Sequence, residues 1–274
     1  MKITRLIRIL AGAVAAAVLL LACVGCGAQK ESAPDDDSLQ KILDKGELIL
    51  GLDVNFPPLG FIDETGEIVG FDIDVAQEVC DRLGVRLVKR GIDWDKKEDE
   101  LNGGSIDCIW NGMSVTPARE KSMTLSDPYM KNELIVVVQS DSADKTLRDL
   151  EGKKIGVQAG SSAQDALKES KLFSKKIKGA AYDTVATVVE KLDSGEVAAA
   201  LIDSVSAYYF VFSSNDTYYI LPGNFGEEEY AVGFRKGDFA LRDKVQETIN
   251  EMKVDGTLGN ISKKWFGSDI TTVR

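Results

Sequence analysis

Short apolar strands alternate with amphipathic helices along most of this chain, and this alternation constrains the fold more than any other feature. Strands are predicted at Glu47 to Asp53, Val85 to Arg90 and Ile106 to Trp110. Between the first two lies Phe71 to Leu83, whose apolar residues recur at helical spacing, and Trp94 to Leu101 is a weaker helix. This alternation predicts the α/β class.

A second strand–helix series follows the β-branched run Glu133 to Gln139. Its predicted strands are Lys154 to Gln158, near Ile177 to Ala181, Ala198 to Asp203 and Tyr230 to Arg235. Its predicted helices begin at Ser162 and span Thr184 to Asp193. Two C-terminal helices are predicted at Phe239 to Lys253 and Thr257 to Phe266. Neither series is large enough for a full domain alone. We therefore expect two lobes, each a mixed five-stranded sheet flanked by helices.

The chain is expected to cross between the lobes twice, near Tyr129 to Glu133 and near Gly226 to Tyr230. Two crossing segments make a hinge, and hinged closure around a ligand is a common transition. The expected boundaries are 1–22 for a signal peptide, 23–37 for a flexible tether, 38–130 with 231–274 for lobe 1, and 134–226 for lobe 2.

The N-terminus is typical of a bacterial secretion signal. Lys2, Arg5 and Arg8 precede the apolar run Ile9 to Leu21, which is too short to span a bilayer comfortably. The run ends in Leu-Ala-Cys23, which resembles a lipobox, so lipidation of Cys23 is predicted. Cys26 is the competing acceptor, and ordinary signal cleavage is the alternative. The mature chain would be extracytoplasmic and lipid-anchored to the bacterial cell membrane without crossing it.

Composition excludes several function classes. The net charge of −11 argues against nucleic acid as a partner, because nothing here neutralises phosphates along a track. The chain has no histidine, which removes imidazole bases, Ser-His-Asp triads and most zinc sites, so no metal or cofactor is expected. Cys80 and Cys108 could form a disulfide, but buried free thiols are the favoured interpretation.

The segment from Asn111 to Arg119 contains the best local signal for binding. A strand runs into Asn111, Gly112 and Ser114, and Thr116-Pro117 then starts a helix that carries Arg119. Ligands of open α/β sheets bind at such strand ends, and a guanidinium there can hold a carboxylate through two hydrogen bonds. The alternative is a solvated Arg119 that pairs with a neighbouring acid.

Three further segments add candidates. In the first, strand residue Gln158 leads through Gly160 to Ser161 and Ser162 at a helix start, a potential anion site that is also ordinary turn chemistry. Asp203 ends an apolar strand and could hold an ammonium group or simply cap the next helix. Phe56 and Phe61 flank a proline-containing loop, where they could form pocket walls or belong to the core.

Taken together, these segments resemble the extracellular solute-binding proteins of family 3, the polar amino-acid receptors of ABC importers. The resemblance covers Ser38 to Gly267 and rests on Gly70-Phe-Asp-Ile-Asp-Val-Ala76, Thr116-Pro-Ala-Arg119, Ser126-Asp-Pro-Tyr129, Gln158-Ala-Gly-Ser161, Ala200-Leu-Ile-Asp203, Tyr230-Ala-Val-Gly-Phe-Arg-Lys-Gly237 and Lys264-Trp-Phe-Gly267. It implies a two-lobed, type II periplasmic-binding-protein-like fold. It also implies high-affinity capture of an amino acid by a monomeric chain, which then delivers the ligand to a permease and ATPase complex.

The resemblance also implies roles for the candidate residues. Arg119 would bind the ligand α-carboxylate with help from Ser114, Ser161 and Ser162. Asp203 would bind the α-ammonium with help from Asn111 and Gly112, while Phe56, Phe61 and Gln158 would surround the side chain. Asn111 and Gly112 stand where some relatives carry serine pairs, and Gln158 and Ala163 lie where side-chain selectivity is set, so the ligand cannot be assigned by analogy.

Two other functions remain open at this point. Relatives on the same scaffold include a secreted dehydratase, and a carboxylate such as Glu228 could serve as its acid or base. A solute-sensing subunit that signals to a partner is the second alternative. Neither histidine catalysis nor a fused signalling segment is encoded, so a non-catalytic transport receptor is the favoured interpretation.

Overall fold

A computed structural model describes residues 36–170, 178–214 and 216–273 of the chain. The predicted signal peptide, most of the predicted tether, and both candidate lipidation sites, Cys23 and Cys26, lie outside the described residues. Among the described helices, none combines the length and apolar character needed to cross a membrane.

Lobe 1 is built mainly from the first strand–helix series. Its elements are α1 (Ser38–Lys45), β1 (Glu47–Leu52), β2 (Asn55–Phe56), β3 (Gly60–Ile62), β4 (Ile68–Val69), α2 (Phe71–Leu83), β5 (Arg86–Gly91), a 3₁₀ turn (Trp94–Lys96), α3 (Lys97–Asn102), β6 (Cys108–Ser114), α4 (Pro117–Ser122) and β7 (Met123–Leu125). The C-terminal elements β13 (Glu227–Arg235), α8 (Phe239–Val254) and α9 (Thr257–Phe266) return to it, because both helices pack against α2.

Lobe 2 holds the middle of the chain. Its elements are β8 (Met130–Gln139), a 3₁₀ turn (Leu147–Leu150), β9 (Lys154–Gln158), α5 (Ser162–Glu169), β10 (Lys178–Tyr182), α6 (Val185–Asp193), β11 (Ala199–Asp203), α7 (Ser204–Ser213) and β12 (Tyr218–Ile220).

One hydrogen-bonded path, β10-β9-β11-β8-β13-β6-β1-β5, runs through both lobes. On the lobe 1 side, β13 pairs antiparallel with β6 and β7, and β1 pairs parallel with β5 and β6. On the lobe 2 side, β8 pairs antiparallel with β11 and β12, and β9 pairs parallel with β10 and β11. Each lobe thus contributes a mixed five-stranded sheet among the described residues.

The two linking strands pair with each other at the hinge. Residues Glu227 to Tyr230 of β13 lie opposite Met130 to Glu133 of β8 in antiparallel register. These are the two segments where the sequence predicts the crossings. Because these two strands are hydrogen-bonded to each other, they can bend together while each stays continuous with its own lobe.

Local signals explain why several elements match their predicted bounds. Helix α2 begins and ends where predicted: it buries an apolar stripe that includes Val75, Val79 and Cys80, and it stops at Gly84, a left-handed C-cap with φ of 70°.

The thiols of Cys80 and Cys108 are buried and unbridged, as favoured from the sequence, and burial raises the pKa of Cys80 to about 12.

Strand β6 differs from its prediction. It starts at Cys108 rather than Ile106 and continues to Ser114 instead of ending at Trp110. Its second half pairs with β13 through a bulge, with Tyr230 opposite Ser114. Long-range pairing of this kind leaves no local trace in the sequence, and it brings Asn111, Gly112 and Ser114 to the cleft on a rigid strand.

Candidate functional site

A closed cleft separates the two lobes, and polar contacts cross it at several points. Ser114 Oγ of lobe 1 lies 3.2 Å from Ser162 Oγ of lobe 2, and Gln158 Nε2 donates to Asp53 Oδ2 at 2.7 Å. Lys97 Nζ donates to the carbonyl of Gly160 at 2.8 Å. These contacts hold the lobes together around an internal cavity.

The cavity is small in the closed cleft: about 10 Å³ is open to the centre of a water-sized sphere, which is the room of roughly one water molecule. Nine of the ten binding residues predicted from the sequence line it, together with one residue that was not predicted. The lining residues are Phe56, Trp94, Asn111, Gly112, Ser114, Arg119, Gln158, Ser161, Ser162 and Asp203. Side chains from both lobes therefore face one space.

Arg119 is held in the cavity wall by the start of α4. Thr116 Oγ1 accepts a hydrogen bond from Arg119 N at 3.2 Å, which caps the helix behind Pro117 as the sequence predicts. Arg119 is only 6% exposed, and its guanidinium donates to Ser114 O at 2.8 Å and to Gly160 O at 3.4 Å. The alternative of a solvated arginine paired with a neighbouring acid is wrong.

Asp203 ends β11 at the opposite wall. Its Oδ1 accepts hydrogen bonds from Tyr230 Oη at 2.7 Å and from Asn132 Nδ2 at 2.6 Å. The side chain makes no capping bond to α7, so the capping alternative is also wrong. Both of these side-chain bonds go to Oδ1, and no other side chain that the structure describes donates to Oδ2.

Burial makes the charge of Asp203 costly. It raises the pKa of this carboxyl to about 7, and the nearby negative charge of Glu228 acts in the same direction. Arg119 opposes the shift, although burial lowers the pKa of the guanidinium itself. The cavity thus holds an acid that gains from any cation placed beside it.

A polar network that the sequence does not predict lies behind Asp203. Asn132 and Glu228 face each other across the hinge ladder, and Asn132 Nδ2 donates to Glu228 Oε2 at 2.9 Å as well as to Asp203. Ser114 Oγ also donates to Glu228 Oε2, at 2.8 Å. The sequence signal for this network is the presence of polar residues in both predicted crossing segments. Polar side chains that point inward from a hinge strand indicate a function there.

The serines of lobe 2 play unequal parts. Ser161 caps α5: its Oγ donates to Gln158 O at 2.7 Å and accepts from Gln164 N at 3.1 Å. Its hydroxyl proton is therefore already used, contrary to the expectation that it serves as a free donor. Ser162 contacts Ser114 across the cleft, and because Ser114 donates its one hydroxyl proton to Glu228, Ser162 is the donor in that contact.

The aromatic walls are Phe56 and Trp94 rather than Phe56 and Phe61. Phe61 lies outside the cavity, where its ring packs against those of Tyr209 and Trp265 at centroid distances of 5.9 and 6.0 Å. Side chains alternate along a strand, and Gly60 faces Asn111, so its neighbour Phe61 points away. The structure therefore does not bring Phe61 together with the other predicted binding residues.

A buried carboxyl supports the strand that carries Asn111 and Gly112. Asp72 Oδ2 accepts hydrogen bonds from Gly112 N at 2.7 Å and from Tyr129 Oη at 2.9 Å. Gly112 has φ of 56°, and a Cβ there would lie 2.5 Å from Leu59 Cδ1. This position therefore requires glycine, and Asp72 fixes its backbone.

Asp72→Asn is expected to flatten the pH dependence of stability. Burial raises the pKa of Asp72 to about 7 from 3.8, so the folded chain binds this proton more tightly than the unfolded chain. Stability contributed by the proton is present near pH 4 and is lost as the pH rises towards about 7. Each unit of pKa difference is worth about 1.4 kcal/mol.

Urea unfolding at about pH 5 and about pH 7.5 checks this expectation. The wild type should lose more free energy of unfolding between the two conditions than Asp72→Asn, which cannot ionise. Equal losses in both proteins would show that Asp72 is not protonated preferentially in the folded chain.

The comparisons with known proteins agree with this geometry. Residues 48–268 match the model of the bacterial extracellular solute-binding proteins, family 3. An L-cystine-binding protein of Escherichia coli, TcyJ, is 32% identical over 247 residues, which cover 89% of this chain and 92% of that protein.

Two solved structures are similar throughout. The structure of Tv2483 bound to L-arginine has a TM-score of 0.84 at 34% identity and covers 88% of this chain and 98% of its own. An ABC uptake transporter substrate-binding protein from Streptococcus pneumoniae with bound histidine has a TM-score of 0.83 at 35% identity, covering 87% of this chain and 99% of its own. The expected two-lobed, type II fold is confirmed. Because the family model matches most of the chain and the relatives match nearly all of it, this protein belongs to the bacterial extracellular solute-binding proteins, family 3.

Proposed function

We propose that this chain captures a zwitterionic amino acid between its lobes and delivers it to an ABC importer. One observation carries the proposal: Arg119 and Asp203, from opposite lobes, line the same cavity. Relatives named for binding cystine, arginine and histidine support the amino-acid class.

The charges of the ligand explain how binding closes the lobes. A zwitterion is costly to bury unless both of its charges are paired. Arg119 would hold the α-carboxylate, with Ser114 and Ser162 nearby, and Asp203 Oδ2 would accept from the α-ammonium. Both contacts are complete only in the closed state, so the ligand shifts the population towards closure.

The pairing of β8 with β13 supports the proposed boundaries of the moving parts. We assign 38–130 and 231–274 to lobe 1 and 134–226 to lobe 2, with the paired strands between them as the bending segments. A monomer is sufficient for this action, because both halves of the proposed grip belong to one chain.

Thermal-shift measurements with the twenty amino acids and cystine test the proposal, since a ligand of the folded state raises apparent stability by mass action. At least one free amino acid should stabilise the chain. Its carboxyl-amide and its N-acetyl derivative should not, because each lacks one of the two charges. Equal stabilisation by all three forms would refute a grip on the zwitterion.

Ligand affinity is expected to fall as the pH drops below about 7. At lower pH Asp203 is increasingly protonated in the unliganded chain, because burial raises its pKa to about 7, and it must release that proton to pair with an ammonium. The loss should approach about tenfold per pH unit. The ligand charges do not change between about pH 5 and pH 7.

Calorimetric titrations at several pH values, in buffers of different ionisation enthalpy, measure both the affinity and the released proton. Asp203→Asn should show no such proton release. Constant affinity and no proton release in the wild type would contradict the assignment of Asp203.

Gly160→Ala is expected to weaken ligand binding by hindering closure. Gly160 has φ of 66°, and a Cβ there would lie 2.7 Å from Asp95 Oδ1 and 2.9 Å from Asp95 Cα across the cleft. Asp95 would have to move away from lobe 2, and overpacking of this kind costs about 1–3 kcal/mol.

Gly152→Ala is the matched control, because Gly152 also has positive φ, 82°, but has no atom within 4 Å of the added Cβ. Both variants should lose stability through backbone strain, and only Gly160→Ala should lose additional ligand affinity in calorimetric titration. Equal affinities would show that the close approach at Gly160 does not govern closure.

We further propose that the chain is a lipoprotein anchored at Cys23. The apolar run before Leu-Ala-Cys23 supports this part of the proposal. Mass spectrometry of the N-terminal peptide from a bacterial host tests it: Cys23→Ala should abolish the diacylglycerol adduct, whereas Cys26→Ala should not. The reverse pattern would assign the anchor to Cys26.

The proposal assigns no chemical step to this chain. Incubation with prephenate or arogenate tests that part, because a dehydratase on this scaffold would consume one of them. Turnover that is lost in Glu228→Gln would overturn the transport assignment in favour of the enzyme.

A further inference from the structure

The two carboxamide side chains in the cavity have fixed orientations. Asn111 Oδ1 accepts a hydrogen bond from Asp53 N at 2.9 Å, so its Nδ2 must be the other end of the amide. Asn111 is 2% exposed, and Nδ2 is buried without a hydrogen-bond partner among the described residues. A buried donor of this kind is costly unless a ligand supplies an acceptor.

The carboxamide of Gln158 is fixed the other way round from that of Asn111, with its NH₂ group rather than its oxygen bonded to the protein. Its Nε2 donates to Asp53 Oδ2 at 2.7 Å and to Asp183 O at 3.1 Å. Both partners are acceptors, so the amide cannot be reversed. Its Oε1 accepts no hydrogen bond from any residue that the structure describes, and Gln158 lines the cavity. The cavity therefore offers one amide donor and one amide acceptor.

Asp53 does not present its charge to the cavity. Its Oδ1 accepts from Asn55 N at 2.8 Å and its Oδ2 accepts from Gln158, while the residue is 4% exposed. The Gln158 amide thus lies between this carboxylate and the cavity. The rings of Phe56 and Trp94 also line the cavity, and such rings can pack against a flat group.

We infer that the side-chain subsite recognises a carboxamide, as in glutamine, through Asn111 Nδ2 as donor and Gln158 Oε1 as acceptor. This inference rests on the proposed capture of a zwitterionic amino acid by Arg119 and Asp203. A ligand carboxamide supplies one carbonyl oxygen and one NH₂ group, which satisfies both fixed amides without adding charge.

Other polar side chains fit this subsite less well. A ligand guanidinium or ammonium could pair with the Asp53 carboxylate only after Gln158 gave up its hydrogen bond to Asp53. A glutamate carboxylate can accept from Asn111 Nδ2 but places its second oxygen against Gln158 Oε1. Cystine brings a second pair of charges to a subsite that offers only neutral partners, and buried charges without counter-charges are costly.

Calorimetric titration of the purified chain with glutamine, glutamate, methionine, arginine and cystine tests the inference. Glutamine should bind at least about tenfold more tightly than each of the others, which corresponds to about 1.4 kcal/mol. Arginine or cystine binding as tightly as glutamine or more tightly would overturn the inference while leaving the proposed function intact. If no amino acid binds, the proposed function itself fails.

Asn111→Asp provides a second test within the same fold. The aspartate keeps an oxygen for Asp53 N but replaces the free donor by an acceptor. The ratio of glutamine to arginine affinity should fall by about tenfold or more. Asn260→Asp, at an exposed position of α9, adds the same charge far from the amide pair and should leave the ratio unchanged. An unchanged ratio in Asn111→Asp would remove Asn111 from the subsite.

Discussion

Asp203→Asn is expected to weaken binding of the cognate amino acid by roughly 3–5 kcal/mol. The ligand ammonium would then enter a closed cavity without its counter-charge. An asparagine can still accept from Tyr230 and Asn132 through one oxygen, but its NH₂ group would replace Oδ2 and face the ammonium. Loss of the charge and repulsion between donors act in the same direction.

Titration calorimetry of the variant measures this loss, and Asp141→Asn is the matched control because Asp141 is exposed in the turn after β8. The unliganded variant should fold as well as the wild type, since burial already disfavours the charge of Asp203. Wild-type affinity in Asp203→Asn would refute its role at the ammonium.

Arg119→Ala is expected to produce a loss of similar size, again roughly 3–5 kcal/mol, because the α-carboxylate would be buried without a cation. Its effect can be separated from general damage by changing the ligand. The carboxyl-amide of the same amino acid lacks the negative charge, so it should bind poorly to the wild type and lose little more in the variant. The two changes should therefore be strongly non-additive.

Arg148→Ala serves as the control. Arg148 is exposed on the second 3₁₀ turn, and its substitution removes an equal charge. It should leave both affinities unchanged. Additive losses from Arg119→Ala and the ligand amide would show that the guanidinium does not contact the carboxylate.

The order and class of the elements could be predicted where local chemistry decides them. Helix α9 and strand β9 have their predicted bounds, because glycine cap positions or an apolar run delimit them in the sequence. The sequence does not predict helix α1, since Ser38–Lys45 is polar apart from Leu39, Ile42 and Leu43 and is held by packing against α8. Tertiary contacts of this kind override local propensity.

The site shows the same division between local and long-range information. Local chemistry places Arg119 at a capped helix start and Asp203 at the end of an apolar strand, but it leaves other interpretations open for both, and their proposed roles come from the family resemblance. Trp94 lies on a helix that the sequence predicts only weakly, and no local pattern indicates that it lines the cavity. Tyr230 was recognised as part of a strand, but its hydrogen bond to Asp203 spans two lobes and could not be inferred from spacing.

A crystal structure of the chain with its tightest-binding amino acid tests the central claim most directly. The two-lobe grip requires the ligand carboxylate within hydrogen-bond distance of the Arg119 guanidinium and the ammonium within hydrogen-bond distance of Asp203 Oδ2, with both lobes in contact with one molecule. A ligand held by one lobe alone, or one whose charges meet neither residue, would contradict the account.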